Sequence, residues 1–169
     1  MLSYPIFHFV LMLQENDSVP SNGEVTDNQG NKVVTADLLS LHKGLTVLYF
    51  YPRDETTGCT LEACEFRDFN DEIQKLGVKV IGISKDSPKS HVKFKQKHKL
   101  NFEIYSDEEH KLQDAFGVWV EKSMYGRKYM GTKRTTFVID KAGKIVKVWD
   151  NVRPLGHAKE VYDYLKTIV

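Results

Sequence analysis

Apolar positions follow two rhythms along this chain, one of strands and one of helices. Residues 45–51 (LTVLYFY) are continuously apolar and rich in β-formers, which predicts a strand buried on both faces. Residues 59–76 carry Phe66, Phe69, Ile73 and Leu76 at 3-4-3 spacing, which predicts a helix, and Gly77 stops it. Residues 78–84 (VKVIGIS) predict a second buried strand. Ser87 followed by Pro88 is a cap with proline at the first helical position, opening a helix to about Leu100. A short strand is predicted over 102–105, and a short helix over 108–116 closed by Gly117. Residues 135–140 and 144–150 read as two strands joined through Lys141-Ala142-Gly143, a hairpin turn. Ala158, Val161, Leu165 and Ile168 mark a last amphipathic helix. The order β-α-β-α-β-α-β-β-α predicts an α/β fold, a mixed sheet flanked by helices.

The chain has 169 residues, the size of one domain. A domain of ~150 residues buries roughly two-thirds of its unfolded surface, so no disulfide or metal staple is required. Hydrophobic residues make up 41% and charged ones 28%, which excludes a wholly disordered chain. Lys and Arg number 24 against 23 Asp and Glu, a net charge of +1, so nothing points to a nucleic-acid partner. Residues 1–13 read as an apolar N-terminal extension. Its run over 4–13 (YPIFHFVLML) is broken by Pro5 and His8 and is shorter than the ~20 residues of a membrane span. No Lys or Arg precedes Lys32, so the positive start of a secretory signal is missing. We expect a cytoplasmic protein without a membrane partner.

The two cysteines, Cys59 and Cys64, form a C-x4-C pair. That is neither a C-x-x-C dithiol nor half a zinc ribbon. Cys59 falls where the first strand-helix turn ends, and open α/β sheets place their chemistry beyond the carboxyl ends of strands. At a helix N-terminus, backbone N–H groups lack acceptors and the dipole is positive, both favouring thiolate. A thiol of ordinary pKa ~8.5 is only a few per cent ionised at pH 7. The dipole typically supplies ~0.3–1 kcal/mol, so an additional cation and further donors are expected. On residues alone, Cys59 also fits a buried small hydrophobe, and Cys64 a bystander on the helix surface. The helical stripe aligns Cys59 with Ala63, Phe66 and Ile73 and sets Cys64 beside Thr60, Arg67, Asp68 and Asp71. Cys59 should face a pocket and Cys64 should lie nearer solvent. Five residues along a helix put Cα atoms about 8.7 Å apart, beyond the ~4.4–6.8 Å of a disulfide. Any bond between them requires the turn to unwind.

The string P-x3-T-x2-C, here Pro52, Thr56 and Cys59, resembles the active-site signature of peroxiredoxins. The longer YFYPRDETTGCTLEAC resembles the bacterioferritin comigratory protein, or peroxiredoxin Q, branch, and the likeness continues through KYMGTKRTTFVID and GHAKEVYDYLK. It departs at Val19-Pro20-Ser21-Asn22, where the family has a Pro-Asp-Phe-like stretch entering its first strand. The resemblance implies a thioredoxin-like fold and a cofactor-free peroxidase acting on hydrogen peroxide and organic hydroperoxides. It implies Cys59 as peroxidatic nucleophile and Cys64 as resolving thiol in an intramolecular disulfide. Arg134 would be the missing cation, its guanidinium holding thiolate and peroxide together. Thr56 would donate to and accept from the peroxide, and Pro52 would close the pocket against water. N–H groups near Gly58 and Cys59 would stabilise charge as the O–O bond breaks. Recycling by thioredoxin or a similar dithiol is implied, in a monomer or weak homodimer.

Other readings stay beside these. Pro52 and Thr56 also fit plain turn residues, and Arg134 a solvated strand-end cation. A protein thiol-disulfide oxidoreductase, or a non-catalytic redox-sensing module on the same fold, remain the alternatives. Lys85, Lys89, Lys93, Lys95, Lys97 and Lys99 make a basic region, read as a solvated face or as a steering patch for an acidic reductant. His91 and His98 lie seven apart on one helical face, but no carboxylate or cysteine is spaced to complete a metal site. Trp119 and Tyr125, read as loop residues before Arg134, line the site mouth or merely pack.

Overall fold

Among the described residues, seven strands form a mixed sheet in the order β2 (Lys32–Val34), β1 (Glu24–Thr26), β5 (Glu103–Ser106), β4 (Lys79–Ser84), β3 (Thr46–Phe50), β8 (Thr135–Ile139) and β9 (Ile145–Trp149). The computed structural model describes residues 11–40 and 44–169. The predicted extension over residues 1–13 therefore lies outside the described residues except for its last three. Of these, Leu11 is exposed, while Met12 and Leu13 pack on the core. Leu13 N–H donates to the Phe116 carbonyl at 3.0 Å. Gly117, at φ +74°, leaves room for this segment: a Cβ there would meet the backbone of Met12.

The predicted elements are present. The sheet centre is β3 (Thr46–Phe50), parallel to β4 (Lys79–Ser84), which is parallel to β5 (Glu103–Ser106). On its other side β3 is antiparallel to β8 (Thr135–Ile139), and β8 pairs with β9 (Ile145–Trp149) across a bulge at Val138/Ile139. Every residue of β3 and β8 is buried, which is why residues 45–51 read as an unbroken apolar run. Helices α2 (Thr57–Lys75), α3 (Pro88–Lys97) and α5 (His157–Ile168) cover one face around Tyr49, Phe66, Ile73, Phe94 and Val161. Helices α1 (Thr35–Ser40) and α4 (Lys111–Phe116) cover the other, around Leu48, Phe50, Ile83 and Phe137. Alternate residues of β3 thus feed opposite cores, as the two-residue period of a strand requires. The Ser87 hydroxyl caps α3, accepting from Ser90 N–H at 3.1 Å.

Five elements are additional to the sequence pattern. β1 (Glu24–Thr26), β2 (Lys32–Val34) and α1 are three to six residues long, too short to show a period. The stretch read as a loop before Arg134 is instead an antiparallel hairpin of β6 (Trp119–Met124) and β7 (Arg127–Thr132), turned at Tyr125-Gly126. The predicted helix over 108–116 starts three residues late. His110 sits in the left-handed region at φ 49°, and the Asp107 carboxylate accepts from Leu112 and Gln113 N–H groups. Among the described residues, no helix is long and apolar enough to cross a membrane.

Candidate active site

The loop leaving β3 carries Pro52 to Thr56 onto the start of α2. Thr56 is the N-cap, with φ −79° and ψ 152°, and its carbonyl accepts the Thr60 N–H at 2.9 Å. Its hydroxyl makes no side-chain cap. It donates to the Arg53 carbonyl at 2.9 Å, which leaves its lone pairs free to accept from a ligand. Cys59 follows in the first turn, among N–H groups that the helix does not use.

Arg134 comes from the far side of the sequence. The β3–β8 register sets Phe50 opposite Thr135, so the residue before β8 arrives beside the loop that leaves β3. Arg134 Nη2 donates to the Cys59 sulfur at 3.3 Å, and Nη1 donates to Glu62 Oε1 at 2.8 Å. Burial disfavours the guanidinium charge, but Glu62 and Cys59 outweigh it and hold its proton more tightly than usual. Burial pushes the Glu62 carboxyl up to about 7, against the pull of Arg134. Glu62 was not singled out from the sequence. The signal was there: it lies three residues after Cys59, on the same helix face, and an acid within a buried stripe needs a partner.

Cys59 is 1% exposed, whereas Cys64 is half-buried, and both are free thiols. Both lie in the unbroken helix α2, which holds them apart as its geometry requires. The expectation that Cys59 faces a pocket is corrected in one respect. An open cleft of about 940 Å³ runs beside the site, but Pro52 and Thr56 line it and Cys59 does not. The Cys59 side chain is buried away from it. The hairpin forms the opposite wall with Met124, Tyr125, Tyr129 and Met130. Five cations, Arg53, Lys85, Lys122, Arg127 and Lys128, line the cleft, and no acid does. Burial, and then Arg134, lower the proton affinity of Lys122. The cleft therefore suits a ligand with apolar surface and negative charge. Tyr125 lines its mouth, while Trp119 stacks on His110 at 4.2 Å between ring centroids, with Lys85 at 5.7 Å from its ring.

The two histidines, on α3 and at its C-cap, take partners from the loop. His91 and His98 do not converge on one another; each meets a carboxylate of the active-site loop. His91 Nδ1 lies 2.7 Å from Asp54 Oδ2, and His98 Nε2 lies 3.3 Å from Glu55 Oε2. Asp54, Asp86 and His91 form a group with potential metal-ligand geometry, but their ligand atoms already have hydrogen-bond partners: His91 Nδ1 and Asp54 Oδ2 pair with each other, and Asp86 Oδ2 accepts from the Asp54 backbone N–H and the Ser84 hydroxyl. The basic region is partly neutralised, Lys95 by Glu103 at 2.8 Å and Lys97 by Glu55 at 3.2 Å.

Residues 16–148 match the AhpC/TSA family. Peroxiredoxin Bcp of Bacillus subtilis (strain 168) is 49% identical over 129 residues, 76% of this chain and 82% of that protein. Peroxiredoxin Bcp of Escherichia coli (strain K12) is 44% identical over 141 residues, 83% of this chain and 88% of that protein. Among solved structures, a peroxiredoxin Q cysteine-to-serine variant from Xylella fastidiosa superposes with a TM-score of 0.85 at 32% identity, covering 94% of this chain and 98% of that one. The bacterioferritin comigratory protein of Xanthomonas campestris, described for its alkyl peroxide reduction activity, gives 0.81 at 34% identity, covering 90% and 99%. These likenesses cover most of the chain, and the chain therefore belongs to the AhpC/TSA family, as a peroxiredoxin of the Bcp or Q group with a thioredoxin-like fold and the activity class of a peroxidase.

Proposed function

We propose that Cys59 is the peroxidatic nucleophile of a thiol peroxidase that reduces hydrogen peroxide and organic hydroperoxides and is recycled by thioredoxin or a similar dithiol. The observation that carries this is the Arg134 contact to the Cys59 sulfur at 3.3 Å. The fixed guanidinium donors at the sulfur can hold the nucleophile and a peroxide oxygen together. The Cys59 thiolate attacks one peroxide oxygen. The S–O bond forms as the O–O bond breaks, and the other oxygen leaves as alcohol or water after taking a proton. Thr56 positions the peroxide through its hydroxyl, Pro52 shields the sulfur from water, and the first N–H groups of α2 meet the developing charge. Cys59 is left as sulfenic acid. The Cys64 thiol then attacks it, forming the disulfide and releasing water. Because α2 separates the two residues, its first turns unwind in this step and re-form when the external dithiol delivers two electrons.

Apolar and cationic walls around the cleft support organic hydroperoxides among the substrates. The reading includes a single domain without a resident cofactor, placed in the cytoplasm, where dithiol reductants are kept reduced, as a monomer or weak homodimer. The test follows NADPH oxidation with thioredoxin, thioredoxin reductase and hydrogen peroxide. Wild type should turn over and Cys59→Ser should not. Turnover that persists in the variant would remove Cys59 from the mechanism. Rapid oxidation of Cys59 by mass, without turnover, would replace the reductant alone.

A further inference from the structure

The loop ahead of Cys59 is gripped by α3 at two neighbouring carboxylates. Asp54 is buried. Its Oδ1 accepts from the Tyr51 hydroxyl at 2.8 Å, and its Oδ2 accepts from the Ser90 hydroxyl at 2.8 Å and faces His91 Nδ1 at 2.7 Å. Its backbone N–H donates to Asp86 Oδ2 at 2.8 Å. The next residue, Glu55, has φ 62°, a left-handed conformation that costs a side-chain-bearing residue roughly 1–2 kcal/mol. Such a conformation persists where the surroundings over-determine it. Here the Glu55 carboxylate meets Lys97 Nζ at 3.2 Å and His98 Nε2 at 3.3 Å. Thr56 comes directly after.

His91 is the centre of this arrangement. It is fully buried, and both ring nitrogens face acceptors. Nδ1 faces the Asp54 carboxylate. Nε2 faces the Tyr105 carbonyl at 3.2 Å and the Ser84 hydroxyl oxygen at 3.4 Å, whose own proton goes to Asp86 Oδ2 at 2.7 Å. Each ring nitrogen thus has a polar partner within hydrogen-bond reach. An array this fully paired is rigid, and breaking one member strands a buried polar group. None of these hydrogen bonds ends on Cys59 or Arg134, so the peroxidase reading gives the array no direct part.

We propose that Asp54 and His91 are a positioning pair for the peroxidase reaction, fixing the loop so that Thr56 and Pro52 stand in the geometry that receives the peroxide. The proposal rests on the reading of Cys59 as nucleophile. The pair acts through Thr56 on the incoming oxygen and leaves the thiolate to Arg134 and the helix terminus. Small displacements of a reacting array are costly: a misplacement of about 1 Å can lower a rate ~100-fold.

The test compares two reactions of Cys59 in the full chain. One is single-turnover oxidation by hydrogen peroxide. The other is alkylation by iodoacetamide, which needs the thiolate and no oriented peroxide. His91→Leu should lower the peroxide rate constant roughly 10–100-fold and leave alkylation nearly unchanged. His91→Asn, which keeps an N–H donor near the Nδ1 position, should recover most of the loss. Ser90→Ala, missing one hydrogen bond to Asp54, should lose roughly threefold, about the loss expected for a weakened hydrogen bond. An equal fall in both reactions, or an unchanged peroxide rate, overturns the proposal. If circular dichroism shows His91→Leu unfolded, Ser90→Ala decides by the same two rates. If wild type itself shows no peroxide-dependent oxidation of Cys59, the reading of the nucleophile fails, and that outcome is separate from any effect of the pair.

Discussion

Nη2 of Arg134 reaches the Cys59 sulfur, at 3.3 Å, across the bare Cα of Gly58. A Cβ built on Gly58 would lie 3.3 Å from that same nitrogen and 3.2 Å from Cγ of Pro154. Both contacts are tight, and Arg134 is held at both ends: the guanidinium is tied to Glu62, and the Arg134 carbonyl accepts from Val152 N–H at 2.8 Å. The glycine thus leaves the space through which a residue 75 positions away meets the thiol.

Gly58→Ala should separate stability from activity. Alanine in a helix is favoured over glycine by up to about 1 kcal/mol, which offsets the strain of the two tight contacts, so the thermal denaturation midpoint should change little. The rate of Cys59 oxidation by peroxide should fall, by roughly tenfold for a loss of about 1.4 kcal/mol in transition-state contact. An unaltered rate would mean that Arg134 shifts without consequence.

Arg134→Met should destabilise as well as inactivate, because it strands the fully buried Glu62 carboxyl. Removing one partner of a buried pair costs about 3–5 kcal/mol. The loss should shrink at low pH, where Glu62 takes up a proton, and Glu62→Gln added to the variant should recover part of it. Urea denaturation of the two single variants and the double variant at pH 5 and pH 8 checks this. Additive effects would show that the two side chains are not energetically paired.

Two buried groups impose opposite pH dependences on the fold. Burial, and then Arg134, lower His157 from 6.5 to about 4. Between these values the unfolded chain binds the proton and the folded one does not. The stability from His157 is therefore complete above pH 6.5 and is lost as pH falls toward 4. Glu62 is raised from 4.5 to about 7, so its contribution is complete below pH 4.5 and is lost as pH rises toward 7. Each spans roughly 3 kcal/mol, and between pH 4.5 and 6.5 the slopes oppose. His157→Gln should make stability fall more steeply with rising pH in that window than wild type. Glu62→Gln should make it rise more steeply. Denaturant midpoints across the window measure both, and identical slopes in all three proteins would exclude these groups as the source.

Oxidation should unwind α2 locally. The disulfide requires Cα atoms within ~4.4–6.8 Å, while five helical residues span about 8.7 Å. Amide exchange over residues 59–66 should be faster after one equivalent of peroxide than in the dithiol-reduced protein. In Cys64→Ser the first oxidation of Cys59 should proceed normally, after which turnover with thioredoxin should stall and Cys59 should over-oxidise. Equal protection in both redox states would count against the unwinding, and full steady-state turnover of the variant against the resolving role.

Much of this protein is written locally. The runs at 45–51 and 78–84 specify central strands because a strand buried on both faces has few polar positions. Ser87-Pro88 and Gly77 mark helix ends because caps and stops depend on adjacent residues. The placement of Cys59 at a helix N-terminus was legible for the same reason, since Pro52, Thr56 and Cys59 lie in one contiguous stretch. Cys64 was readable as the more exposed thiol from the helical stripe alone.

Tertiary structure decided what depends on distant chain segments meeting. β1 and β2 are three-residue strands whose existence rests on pairing, and the β6–β7 hairpin is largely exposed, with no apolar face to announce it. Lys122 and Tyr125 became the wall of a cleft only once that hairpin folded beside the loop. Glu62 gained its meaning from Arg134, brought to it by the pairing of β8 with β3. His91 and His98 showed no carboxylate spaced to meet them along the chain, and the acids that answer them, Asp54 and Glu55, come from another element. Periodicity records which face of an element is buried. It carries no record of which polar group waits on the other side, and buried polar groups are satisfied one partner at a time.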